Sequence, residues 1–260
     1  MKKALLSILL GTSLLVAGCG TSSVTGSGGD DEKKLIMGTS ADYPPFEYID
    51  TAKGEEIIGF DVDLANALAE KIGYEIEVKD MEFSGLIEAV KGGQVDLVLA
   101  GMTPTEERKE SVDFTEIYYV AKDMIVYKDG TPISSEEDLA GLTVGVQLGS
   151  IQEDSAKELA EQYGFTVESR NRIPELVQEV VNGRFDAAII ENTVAKGFME
   201  NNKDLKGYTM EVDEEEAGSA IAFPKDSELT AKFNEALQEM KDSGELDELV
   251  NKWFGDANEK

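Results

Sequence analysis

The sequence predicts an α/β protein built of two lobes, each a mostly parallel sheet with helices on its faces. Two observations carry this. Strand-like and helix-like apolar patterns alternate along most of the chain, as they do where parallel strands are joined by helical crossovers. A pattern also recurs: Val90-Lys-Gly-Gly-Gln-Val-Asp96 with an apolar run after it is echoed by Val181-Asn-Gly-Arg-Phe-Asp186 with Ala-Ala-Ile-Ile190 after it, and Leu35 to Ser40 is echoed by Leu142 to Ser150. The first echo is a helix end, a glycine, an aspartate, a buried strand and a polar loop, so two units of like topology are expected.

Composition narrows the chemistry. The 260 residues suffice for one large or two modest cores. A formal net charge of -29 repels nucleic acid and anionic membrane surfaces, so neither is expected as a partner. Histidine is absent and cysteine occurs once, which removes zinc, haem, iron-sulfur and Ser-His-Asp chemistry. No Asp-x-Asp-x-Asp-Gly loop is present either, so no metal and no cofactor are expected.

Lys2 and Lys3 precede an apolar stretch from Ala4 to Val16 that is too short to span a bilayer and has the layout of a secretory signal. It ends in Leu15-Val16-Ala17-Gly18-Cys19, which resembles the lipobox of bacterial lipoproteins. That resemblance implies removal of residues 1–18 and a lipid on Cys19. Residues 19–32 are rich in Thr, Ser, Gly and acids and read as a flexible tether.

From residue 33 the elements follow in order. Leu35 to Met37 is a strand, and the two prolines of Tyr43-Pro-Pro-Phe46 make Ser40 to Tyr43 a stiff loop at its end. Asp61 opens a helix with Leu64, Leu68 and Ile72 on one face, Glu75 to Lys79 alternates as a strand, and a helix from Ser84 carries Leu86, Ile87 and Val90. In the second unit Ser150 and Glu153 form a capping box for a helix to about Tyr163, Phe165 to Ser169 is a strand, Pro174 starts a helix, and Asp186 to Ile190 is the next strand with Glu191 at its end. Asp123 to Tyr127 and Ser219 to Phe223 are candidate crossings between the lobes. Leu229, Phe233 and Leu237 form a last helical stripe, and a helix through Leu246 and Leu249 to Trp253 closes the fold.

The stretch Leu99-Ala-Gly-Met-Thr-Pro-Thr-Glu-Glu-Arg108 carries the strongest functional signal. Val95 to Ala100 reads as a buried strand, Gly101 permits close approach, and Thr103 with Glu106 matches a capping box with Pro104 at the first helical position. Arg108 then places a cation in a first turn, where the helix dipole favours an anion. Two readings stand at this point. Either a carboxylate or phosphate sits between free amides, the Thr103 hydroxyl and the guanidinium, or Arg108 pairs with Glu106, Glu107 or Asp113 at the surface.

Taken together, Gly38 to Phe46, Gly59-Phe-Asp-Val-Asp-Leu64, Phe83-Ser-Gly-Leu-Ile87, Leu99 to Arg108, Gly145 to Glu153, Asp186 to Glu191 and Ala220-Ile-Ala-Phe-Pro224 resemble the polar amino acid branch of the bacterial ABC-importer solute-binding proteins. The likeness spans residues 33 to 255 with the motifs in register and is greatest to arginine-binding lipoproteins of Gram-positive bacteria. It implies a two-lobed, periplasmic-binding-protein-like (type II) fold, with residues 33–122 and 221–260 as lobe 1, residues 123–220 as lobe 2, and a two-strand hinge between them. It implies that Arg108 and Thr103 hold the ligand's α-carboxylate with the amides of Thr103 and Ile151. Ala100, Gly101 and Glu191 would take the α-ammonium. Tyr43 and Phe83 would wall the side-chain pocket, and Gln152 and Ser40 would tune it. Glu191 stands where many relatives have Asp, and Ser40 where many carry an acid that Asp42 next door would have to replace.

The expected role is therefore capture of an amino acid, arginine first, by hinge closure, and its delivery to ABC permease subunits in the membrane. The protein is expected to act as a monomer on the outer face of the cytoplasmic membrane. A guanidinium between Tyr43 and Phe83 would gain about 0.5 to 2 kcal/mol per ring face. Glutamine, lysine, histidine or ornithine are the alternatives, and a dehydratase-like enzyme on the same fold is the rival class.

Overall fold

Residues 33–51, 54–211 and 218–255 are described by the structure, a computed structural model. The leader, Cys19 and the tether lie outside them.

The first sheet is assembled from β1 (Lys33–Thr39), β5 (Tyr74–Asp80), β6 (Leu97–Val98), β7 (Val112–Phe114) and β15 (Ala222–Pro224), where β2 (Asp42–Tyr43), β3 (Glu47–Asp50) and β4 (Glu56–Ile58) form a small antiparallel sheet beside it. Its order is β5-β1-β6-β15-β7. The second sheet takes β9 (Asp123–Lys128), β10 (Thr143–Gln147), β11 (Thr166–Arg170), β12 (Ala187–Glu191) and β13 (Leu205–Thr209) in the order β11-β10-β12-β9-β13. In each, three parallel strands are followed by one running the other way, β15 or β9. Each sheet is thus mostly parallel, as expected, with one reversed strand among five. The antiparallel strand in each is the one that arrives directly from the other lobe.

The echoed aspartates explain themselves here. Asp96 accepts the amide of Ile36 at 2.7 Å, and its own amide donates to the Ile36 carbonyl at 2.8 Å. Asp186 repeats this on Thr143, at 2.8 and 2.9 Å. Each ties the residue just before one parallel strand to its neighbouring strand, at mid-β1 for Asp96 and at the start of β10 for Asp186, pairing an amide there.

Helices cover both faces of each sheet, which is why its strands read as continuous apolar runs. On the first sheet, α1 (Phe60–Lys71), α7 (Glu228–Ser243) and α8 (Glu245–Phe254) pack over Leu35, Met37 and Leu97, while α2 (Leu86–Lys91) covers Val98 and Ala222. On the second, α5 (Ile173–Val181) and α6 (Asn192–Asn201) lie over Ala188 and Ile190, and α4 (Ile151–Tyr163) over Val144, Val146 and Ile189. The remaining helix is α3 (Glu106–Ser111).

Several local expectations shift. The strand expected over 95–100 is regular only at Leu97–Val98, and the helix expected from Ser84 opens with a 3-10 turn at Phe83–Gly85. The helix after Gly101 starts two residues late: its cap is Thr105, whose hydroxyl accepts the Arg108 amide at 3.2 Å, not Thr103. Ser150 caps α4 as expected, but Glu153 returns to the Gly149 amide at 2.6 Å instead of its own cap. The candidate crossings Asp123 to Tyr127 and Ser219 to Phe223 are largely sheet strands, because their apolar residues are buried on both faces. The short ladder that lies between the sheets pairs β8 (Tyr119–Val120) with β14 (Gly218–Ser219).

Gly59 sets where α1 docks. It has φ +143, and a Cβ there would lie 2.0 Å from the Phe46 carbonyl oxygen, a backbone atom that cannot yield. At Gly85 a Cβ would meet nothing within 4 Å. Gly59→Ala is therefore expected to lose about 2 kcal/mol or more of stability, and Gly85→Ala to change it by less than about 1 kcal/mol, in denaturant melts.

Candidate functional site

A cleft of about 1110 Å³ runs between the lobes. Ser40, Tyr43, Phe83, Ala100, Gly101, Thr103 and Arg108 line it from the first lobe, and Ile151, Gln152 and Glu191 from the second. Of the binding residues named from sequence, Asp42 is the one that does not line it.

Arg108 makes no ion pair with Glu106, Glu107 or Asp113 among the described residues. Two of its three surface candidates are engaged elsewhere, Glu106 by Lys109 at 2.8 Å and Asp113 by Lys225 at 3.0 Å, and Glu107 acts on it only through its charge. The guanidinium turns inward instead. It donates to the Thr103 carbonyl at 2.8 Å and to the Gly149 carbonyl of the other lobe at 2.8 Å, and lies 5.4 Å from the centre of the Phe83 ring. Burial lowers its pKa to about 10. Among the described residues it forms no ion pair: a half-buried cation faces the cleft with neutral oxygens as its hydrogen-bond partners, and Asp154 and Glu107 act on it only through their charge. Close by, α4 begins at Ile151, whose amide belongs to the unpaired first turn of that helix.

Tyr43 and Phe83 each keep one ring face against the protein. Tyr43 stacks on Phe46 with centroids 5.6 Å apart, and Phe83 meets Arg108. Gly101, at φ +56, brings its backbone so near Tyr43 that a Cβ would sit 3.1 Å from the ring. Its amide is already taken: it donates to Asp61 Oδ2 at 2.9 Å, the same oxygen that accepts the Tyr118 hydroxyl at 2.8 Å. Asp61 opens α1 as expected, yet it is fully buried and works as a strut under the strand end.

The other side of the cleft is acidic. Glu191 accepts from the Thr193 hydroxyl at 2.7 Å and from the Tyr43 hydroxyl of the opposite lobe at 3.4 Å. Burial, with the Asp123 and Asp61 charges, raises its pKa to about 8. Gln152 donates to Asp123 at 2.7 Å, and burial raises Asp123 as well.

Among the acids that line the cleft without having been named from the sequence are Glu47 and Asp123, both buried. Glu47 pairs with Tyr43 across the hairpin, so both side chains leave on the same face. Its carboxyl is wholly buried and lies against Asp61; burial first, then the Asp61 charge, push its pKa well above the ordinary range. As two carboxylates, Glu47 and the outer oxygen of Asp61 would lack any donor, and a proton held between them supplies one. No sequence pattern marks Glu47, because its place depends on the hairpin register. Asp123 had a faint sign, an acid heading the apolar run Met124-Ile-Val126.

Asp42 is turned away because successive strand residues point to opposite faces, and Tyr43 has the cleft side. It accepts from the Ser40 hydroxyl at 3.2 Å and faces Arg172 of the second lobe at 3.8 Å. Its expected place in the ligand site is not supported by this geometry.

Residues 35–256 match the family model of bacterial extracellular solute-binding proteins, family 3. The arginine-binding extracellular protein ArtP of Bacillus subtilis (strain 168) is 60% identical over 248 residues, 93% of this chain and 96% of that protein. A solved structure of an ancestral arginine-binding protein bound to arginine superposes with a TM-score of 0.81 at 42% identity, covering 86% of this chain and 99% of that one. An ancestral arginine-binding protein bound to glutamine superposes with a TM-score of 0.80, also at 42% identity and with the same coverage. With the two-lobed fold, the cleft between its sheets and a family match through nearly all the described residues, the chain belongs to the bacterial extracellular solute-binding proteins of family 3.

Proposed function

We propose that this protein is the solute-binding component of an ABC importer, that it captures arginine between lobe 1 (33–122 with 221–260) and lobe 2 (123–220), and that it delivers it to the permease. A lipid on Cys19 holds it as a monomer at the outer face of the cytoplasmic membrane of a Gram-positive bacterium. The ligand leaves unchanged, so the protein acts by binding and not as an enzyme.

The observation that carries the choice of ligand is the charge layout of the cleft. One end offers Arg108 with no carboxylate in ion-pair contact among the described residues; the other offers Glu191, Asp123 and Glu47, all buried. Arginine carries one anion and two cations. Its carboxylate meets Arg108, Thr103 and the Ile151 amide; its ammonium meets Glu191 with the Ala100 and Gly101 oxygens; its guanidinium, between Tyr43 and Phe83, meets the remaining acids. Each buried charge then has a partner, which offsets the desolvation that an unpaired one would cost. The likeness to arginine-binding ArtP supports the same ligand. Glutamine is the second reading, favoured by the glutamine-bound ancestral structure, but it would leave the acids beyond Glu191 without a cation.

In a thermal-shift screen of the twenty amino acids, arginine is expected to raise the melting temperature most. A flat response to all twenty would overturn the reading, and NMR of the recovered ligand should show arginine intact. Arg108→Ala is expected to keep its circular-dichroism melt yet lose about a hundredfold or more in calorimetric affinity, since the carboxylate would be buried unpaired. Affinity should also depend on pH. Glu191 titrates near pH 8 and is protonated below it, while the ligand cation needs the carboxylate, so binding expels a proton. Arginine affinity is thus expected to rise from pH 6 towards pH 8, by at most about tenfold per unit, in titrations at fixed salt.

A further inference from the structure

Outside the ligand cleft, the lobes touch most strongly through Arg172, the residue that caps α5 at its N-terminus. Its guanidinium forms a two-pronged pair with Asp80 at the end of β5, Nη1 to Oδ1 at 2.8 Å and Nη2 to Oδ2 at 3.1 Å. Nη1 also lies 3.4 Å from the Ser40 hydroxyl, and Nε lies 3.8 Å from Asp42 Oδ2. Arg172 and Asp80 keep 25% and 34% of their side-chain exposure and Asp42 11%, so this is not a freely solvated surface pair.

The acids are held from their own lobe. Asp80 Oδ1 accepts the Ala41 amide at 2.9 Å, and Asp42 accepts from Ser40. The first lobe therefore presents two carboxylates and a hydroxyl on one loop and one strand end, and the second lobe answers with a single fork. Parallel-fork geometry of this kind is directional and sensitive to the separation of its partners. An opening of the lobes by a few ångströms would break every one of these contacts together.

We propose that Arg172 is an interlobe latch that favours the closed form whatever the ligand, and that by engaging Asp42 it removes that acid from ligand recognition. The acid expected at the Ser40 position is thereby not restored by its neighbour: Asp42 serves closure, and the ligand's side chain is read by Glu47 and Asp123. The selectivity half of this rests on the arginine reading given above; the latch half does not. Closing energy supplied by the chain lowers the share that ligand binding must supply, so the latch raises the affinity of any cleft ligand by a common factor.

The test uses the full protein and the variants Arg172→Gln, Asp80→Asn, their double mutant and Asp42→Asn. Calorimetry against arginine and glutamine is combined with small-angle scattering of the ligand-free protein, and circular dichroism checks folding. Arg172→Gln and Asp80→Asn are each expected to weaken arginine binding about five- to thirtyfold, chiefly through faster dissociation, and to expand the ligand-free protein. The double mutant should be no weaker than the worse single one, because both remove the same contact. The ratio of arginine to glutamine affinity should stay within about threefold of the parent in all of them, Asp42→Asn included. Unchanged affinity and scattering in Arg172→Gln would remove the latch. Collapse of the arginine preference in Asp42→Asn alone would show that Asp42 reads the ligand. If the parent binds no amino acid, the arginine reading fails, while the scattering comparison still decides the latch.

Discussion

A guanidinium withdrawn from water without a carboxylate to meet it is the constraint from which the rest of the site follows. Arg108 reaches from α3 to a carbonyl of its own lobe and a carbonyl of the other, at 2.8 Å each, and neither neutralises it. Neutral oxygens satisfy its hydrogens but leave its charge uncompensated. The surrounding surface is so acidic that a carboxylate could easily have been supplied. Glu106 and Asp113 are instead held by Lys109 and Lys225, and Glu107 and Asp154 reach Arg108 only through their charge. Under the proposed function, the ligand's carboxylate completes this end of the cleft.

The acidic end is the complement of that arrangement. Glu191 bonds across the lobes to Tyr43, Glu47 sits beside Tyr43 on the hairpin, and Asp123 is held by Gln152. Buried in close company, these acids resist ionisation, and Glu191 is raised to about 8. They are poised to release protons when a cation arrives. Under the proposed function, cleft polarity, and not shape alone, separates a cationic side chain from a neutral one. The aromatic walls add to this, each with its outer face already packed against the protein.

Much of this was legible in sequence because it depends on local rules. The alternating strands and helices, the echo around Asp96 and Asp186, the cap at Ser150 and the misplaced cation at Arg108 are all written in residues a few positions apart. The places where the reading slipped have a common cause. Thr105 displaced Thr103 as the cap because the chain after Gly101 stays extended for longer than a capping box assumes. Asp42 was assigned to the cleft by proximity to Ser40, but strand alternation gives that side to Tyr43. Glu47 went unseen because only the pairing of β2 with β3 puts it beside Tyr43.

By itself, then, the sequence determined the class of fold, the twofold plan and the residue whose charge demands an anion, since propensity, periodicity and capping act over a turn or a strand. Tertiary structure alone decided which acids face the cleft, which carbonyls hold Arg108 and which residue of one lobe grips the other. Those outcomes turn on the passage of the chain between the sheets through β8 and β14 and on the register of a short hairpin. Contacts between residues more than a hundred positions apart, such as Tyr43 with Glu191 or Ser40 with Arg172, exist only once two separately specified lobes are brought face to face.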